Sequence, residues 1–320
     1  MSTYLRTRPA WLQLVIFGAL TGGLFLLCST VGLALVAQTN GLSIMQIPQN
    51  VGDLAKPEMA GVARGLLIVQ FFGLFLLPSL IFAYLADPRP LAFSGLRMPD
   101  KKSFIGWGIL IIIAAFFMVE WLSEINQNLV SSLLGKSARQ WVEQGETETD
   151  NLLKNILTMN KPVELLRSIL LVGVMAAIGE ELFFRGIMQR ILIQAFNSPW
   201  PGIILTAAIF SAFHGQFMGF IPRMILGIIL GALYWYSGSI IPAMAGHFIY
   251  NSGQLVLVYL KIADTDSPKP GTDKSVMWFG ILALVVVVFL LNYIRKKSTT
   301  TLESFYGSEE PQLPDDPSSV

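Results

Sequence analysis

Long apolar runs broken by short polar segments dominate this chain. A helix that crosses a bilayer needs about 20 mostly apolar residues. Six runs meet or approach that length: 11–37, 62–86, 104–122, 163–184, 240–260 and 276–294. Two shorter runs, 201–216 and 223–236, lie between the fourth and fifth and are interrupted by Pro222 and Arg223. Taken as two further helices, short or tilted, they predict an all-α polytopic membrane helix bundle of about eight transmembrane helices. Gly227 and Gly231 form a small-xxx-small pair that would let a neighbouring helix approach closely. Glycines that are merely tolerated in a membrane helix are the plainer alternative.

Polar segments divide the bundle. Residues 38–61 read as a loop with Pro48 and Pro57, and 123–162 as the longest connection, with a short amphipathic helix around Ser137–Met159. The tail 295–320 opens with Arg295, Lys296 and Lys297, then turns acidic and rich in Pro and Ser, a composition that predicts disorder. The chain therefore divides into an N-terminal part, 1–162, a helical core, 163–260, a last loop and helix, 261–294, and the tail. No internal repeat is visible.

Composition supports the membrane assignment. Hydrophobic residues make up 53% of the chain and charged residues 13%, about half of the roughly 25% charged residues usual in soluble domains. A net charge of +1 without a basic stripe gives no case for nucleic-acid binding. Cys28 is the only cysteine, which excludes an intramolecular disulfide. The first apolar run comes after Arg6 and Arg8 but exceeds the roughly 7–15 residues of a signal-peptide core, so it reads as a retained helix. Those arginines, with Arg295, Lys296 and Lys297 after the last run, favour cytoplasmic termini. A count over every loop splits the 22 Lys and Arg evenly between the two sides.

Ionisable groups inside apolar runs are costly and usually kept for a task. The chain has only two histidines, His214 and His247, and both lie in such runs. The fourth run carries Glu180, Glu181 and Arg185. Glu181 and Arg185 are four apart and can pair on a helix, whereas Glu180 points roughly 100° away and lacks that partner. Such a carboxylate is suited to general-base work; interfacial charges at a helix end are the bland alternative. Phe210 and His214 share a helical face, as do His247 and Asn251. An imidazole and a carboxamide are hydrogen-bond donors fit to hold a developing oxyanion, or to clasp two membrane helices together.

Glu-Glu-x-x-x-Arg, Phe-x-x-x-His and His-x-x-x-Asn, in that order on successive membrane helices, resemble the CPBP family. That family covers CAAX-type prenyl proteases and bacteriocin-processing enzymes and includes the Rce1-like endoproteases. The resemblance spans about 163–260. It implies an intramembrane endopeptidase with its active site inside the bundle. Glu180 would be the general base and His214 would orient the attacking water. His247 and Asn251 would hold the oxyanion, with Glu181 and Arg185 in support and Phe210 shaping the pocket. No metal is favoured, since His-Glu-x-x-His is absent; a zinc site of Glu180, His214 and His247 is the alternative. The expected substrate is a membrane-associated protein or peptide, and the expected location a bacterial inner membrane. From other classes, a proton-coupled transporter and a non-catalytic immunity or scaffold protein compete with this reading.

Overall fold

The computed structural model describes residues 4–262 and 274–306, and these form helices without a strand. Parts of the expected last loop and of the tail, 263–273 and 307–320, lie outside the described residues. The main helices are α1 (Ala10–Thr39), α2 (Pro57–Ala86), α3 (Ser103–Leu133), α4 (Lys136–Ile156), α5 (Pro162–Phe196), α6 (Pro199–Ala212), α7 (Phe220–Ser237), α8 (Ile241–Tyr259), α9 (Lys274–Lys297) and the short α10 (Leu302–Tyr306).

Six of these helices, α1, α2, α3, α5, α7 and α9, are long and apolar enough to cross a membrane. The expectation of eight therefore meets six that satisfy length and hydropathy together. At 14 residues α6 is too short, and polar residues His247, Asn251, Ser252 and Gln254 dilute α8. The amphipathic helix expected at 137–159 is α4. Pro222 and Arg223 do not interrupt α7 but occupy its first turn, where proline's missing N–H costs no helical hydrogen bond.

The bundle is built around α7, whose apolar window is 67% buried against 11% for α1. Helix α3 packs on α7, α8 and α9, while α6 lies along α7. Ile111, Ile112 and Met118 of α3 meet Leu230, Leu233 and Tyr234 of α7 in one apolar cluster. A second cluster, rich in aromatics, joins Phe17, Phe75 and Phe82 to Phe183, Phe184 and Phe210. Outward residues of α1 and α9, such as Leu26, Leu27, Val285 and Phe289, are exposed, as suits a lipid-facing surface.

Gly227 and Gly231 do serve close approach. A Cβ at Gly227 would stand 3.0 Å from the Ala207 Cβ, and one at Gly231 would stand 2.6 Å from the Gln189 side chain. Bare backbone at these positions lets Arg185 and Gln189 of α5 donate to the carbonyls of Gly227 (3.1 Å) and Gly231 (3.0 Å). Residues four apart on one helix thus clasp carbonyls four apart on the next.

The start of the tail differs from the expected disorder. Phe305 is buried against Tyr234 and Trp235. The Arg190 guanidinium lies 4.6 to 5.0 Å from the rings of Phe93, Phe305 and Tyr306 and donates to the Phe305 carbonyl. Cation–π stacking and apolar burial hold this turn in place, so the acidic, Pro-rich composition does not govern residues 302–306.

The bundle has two distinct ends. At one, Arg6 pairs with Asp87, Gln13 bonds Gln194, and Lys101 donates to the Lys297 carbonyl, so both described termini meet there. At the other, Asn155 of α4 donates to the Leu54 carbonyl and Arg64 donates to that of Ile156.

Candidate active site

Helix α5 carries the acidic pair and is not a uniform α-helix. Two π-helical stretches, Ile169–Met175 and Glu181–Gln189, flank a short α segment, Ala176–Glu180. Such widened turns inside α-helices are frequent at functional sites. Here the second one begins at Glu181, directly after Glu180.

The two neighbouring carboxylates meet different surroundings. Glu181 is fully buried, and its Oε1 accepts from Arg185 Nη1 at 2.7 Å and contacts His247 Nδ1 at 2.8 Å. Arg185, also fully buried, continues to the Gly227 carbonyl and lies 4.7 Å over the Phe210 ring. The expected Glu181–Arg185 pair is therefore present. His247 joins it from α8, a contact that joins residues 66 apart in sequence. With Nδ1 held by Glu181, Nε2 is the His247 nitrogen left near Glu180.

Glu180 turns the other way. Its side chain is 14% exposed, and its Oε2 lies 3.9 Å from His247 Nε2 with no hydrogen-bond partner. It lines a cavity of about 400 Å³ together with Phe210, His214, His247 and Asn251. The His214 Nδ1 sits 2.9 Å from the Phe210 carbonyl, one helical turn back, and the Phe210 ring packs edge-on to both imidazoles. Asn251 donates one amide hydrogen to the Val172 carbonyl in the first π stretch, at 2.9 Å, and keeps a second donor.

The structure thus brings all four expected catalytic residues to one cavity, places Phe210 in its wall, and buries Glu181 and Arg185 behind it. Among the described residues, no three His, Cys, Asp or Glu side chains gather into a group that could hold a metal ion. Glu180, His214 and His247 are not such a group as they stand.

Three contributors escape sequence reasoning. Gln189 lies one turn beyond Arg185 and makes the parallel bond to α7. Glu146 of α4 lines the cavity and accepts from the Met218 N–H at 2.9 Å. Burial pushes the Glu146 carboxyl above the usual carboxylate range, outweighing that hydrogen bond and the charge of Arg223. Arg223 lines the same cavity. An ionisable residue inside a predicted apolar run was the signal available for Arg223; an even mixture of polar residues across 136–156 hid Glu146.

The lining residues come from the second half of α3, the middle and second half of α8, the first half of α5 as far as its midpoint, the first half of α7, the end of α6 with the turn after it, and α4. The cavity therefore lies toward the end of the bundle opposite the described termini. Comparison with curated proteins and with solved structures returns no match for this chain. Residues 162–253, which hold Glu180, His214, His247 and Asn251, match the family model for Rce1-like proteins, described as type II CAAX prenyl endopeptidase Rce1-like.

Proposed function

We propose that this protein is an intramembrane endopeptidase that hydrolyses a peptide bond with water activated by Glu180. The observation that carries this reading is the unpartnered Glu180 Oε2, set 3.9 Å from His247 Nε2 in a cavity within membrane-spanning helices. The match of residues 162–253 to an endopeptidase family supports it independently.

In this mechanism Glu180 takes a proton from a water oriented by His214, and the hydroxide attacks the scissile carbonyl carbon. The negative charge that develops on the carbonyl oxygen is held by the second amide hydrogen of Asn251 and by the Nε2–H of a His247 imidazolium, whose Nδ1–H is directed to Glu181. Glu180 then returns its proton to the nitrogen as the C–N bond breaks, which frees the amine product. Glu181 and Arg185 act at one remove. The Glu181 carboxylate fixes the ring of His247, as a partner on the other nitrogen fixes an imidazole's orientation.

The substrate is a membrane-associated protein or peptide. With both termini in the cytoplasm of a bacterial cell, as Arg6, Arg8, Arg295, Lys296 and Lys297 favour, the cavity faces the opposite side of the inner membrane. That geometry supports maturation or turnover of a peptide reached from outside the cytoplasm over a prenylated cytoplasmic chain.

Comparing the membrane and released peptides of cells carrying the wild type with those carrying Glu180→Gln tests the reaction. Peptides that depend on Glu180 are expected; an unchanged set would overturn it. In a protein with Cys28→Ser, labelling of a single cysteine introduced at Gln144 by a membrane-impermeant reagent on intact cells is expected if the cavity end faces outward. Protection of that cysteine, with labelling only after lysis, would reverse the orientation.

A further inference from the structure

The cavity holds a cation that the proposed mechanism does not use. Arg223 sits in the first turn of α7, where the helix dipole is positive and a cation is electrostatically disfavoured. Its Nη2 donates to Gln216 at 2.8 Å, whereas Nη1 is buried and has no hydrogen-bond partner. A buried guanidinium N–H left unmade is costly, and guanidinium geometry suits a planar carboxylate.

The carboxylates that share this cavity are Glu120, Glu146 and Glu180. Glu146 is engaged by the Met218 N–H, and its raised pKa weakens it as a counter-ion. Glu180 stands beside His247, and Glu120 projects from α3. Ser123, Gln127 and Gln254 add neutral polar groups to the wall, and these suit the backbone of an extended peptide.

We propose that Arg223 is a specificity-determining residue that takes a carboxylate of the peptide substrate, either its C-terminal α-carboxylate or an Asp or Glu side chain near the scissile bond. The inference rests on the endopeptidase reading above and adds to it the chemical class of the group recognised.

The test uses the full-length protein in lipid nanodiscs and one set of synthetic decapeptides in three forms: free acid, C-terminal amide, and amide with an internal Glu. The wild type is expected to favour one carboxylate-bearing form over the plain amide by about 10- to 100-fold in kcat/KM. Which form is favoured identifies the source. Arg223→Gln is expected to bring that ratio close to one, and Arg223→Lys to keep part of it. A wild type without preference, or an Arg223→Gln protein that keeps the ratio while losing rate on all forms, would overturn the proposal.

Binding of the same peptides to the Glu180→Gln protein separates this inference from the reaction itself. If the wild type cleaves none of them, a binding preference that Arg223→Gln abolishes would uphold Arg223 and count against the peptidase reading. Equal binding of all three forms would overturn Arg223.

Discussion

Glu180 and Glu181 are adjacent in sequence and opposite in circumstance. Glu181 is sealed between Arg185 and His247, with no exposure to solvent. Each carboxylate keeps one oxygen without a hydrogen-bond partner, but Glu180, unlike Glu181, lines the cavity and makes no bond to Arg185. One side of α5 is thus a neutralised clasp that binds three helices, and the other is a reactive surface kept short of contacts. The difference teaches how a membrane helix can hold two carboxylates: one is stabilised by pairing, and the other is available because it is not.

The sharpest way to break this contrast is to neutralise each side in turn. Glu180→Gln is expected to cut cleavage by about 10²- to 10⁴-fold, the range typical of a lost general base, while thermal unfolding in nanodiscs stays within about 0.5 kcal/mol of wild type. A marked fall in stability would show that Glu180 belongs to the clasp.

Arg185→Met should do the reverse first: it leaves Glu181 buried and uncompensated, at a cost of about 3–5 kcal/mol in unfolding free energy. Replacing both members, Glu181→Leu with Arg185→Met, should cost less than the single change, since no buried charge is stranded. Cleavage should nevertheless fall in the double variant, because His247 loses the group that orients it. A double variant with full activity would dissociate the clasp from the reaction.

A smaller effect is expected further along the same face. Gly231→Val places methyl groups where Gln189 and Ile203 already lie, an overpacking worth about 1–3 kcal/mol. Unfolding at graded denaturant would measure it, and a neutral result would mean that α7 can retreat from α5 freely.

The smallest effect lies at the cavity mouth. Because burial raises the Glu146 pKa above 4.5, docking of α4 gains a contribution that is complete below that value. It fades as pH rises through the folded-state pKa. Hydrogen exchange across 136–156 should therefore quicken on going from acid to neutral pH, by less than about 1 kcal/mol for a group that water can reach through the cavity. Glu146→Gln should flatten the trend, and exchange that slows with rising pH, after correction for intrinsic rates, would reverse the sign.

Much of the architecture was legible in the sequence where the information is local. Apolar runs gave the spans because length and hydropathy are enough to define a membrane helix. The four-residue spacing gave the Glu181–Arg185 pair. Contacts between distant segments were not legible. His247 could be matched to Asn251 on its own helix, but its bond to Glu181 depends on how α8 packs against α5. Overall composition misled at the tail. It averages over residues, while one buried Phe305 and the rings around Arg190 suffice to anchor a short turn. Arg223 stood out only as a break between runs, because first-turn placement and burial are properties of the fold.

The two π stretches of α5 have a consequence for how this helix tolerates insertions and deletions. A widened turn stores about one residue more than the α-helical path it replaces. Deleting one residue from 181–189 would let that stretch relax to α-helix with little net rotation between the segments it joins, so Glu180 would keep its direction toward the cavity while Gln189 and Arg190 kept their partners. A single insertion there, which the already widened turn cannot absorb, would rotate the segment before it, Glu180 included, by about 100°. The direction of the Glu180 carboxylate is therefore buffered against the loss of one residue and open to disruption by the gain of one.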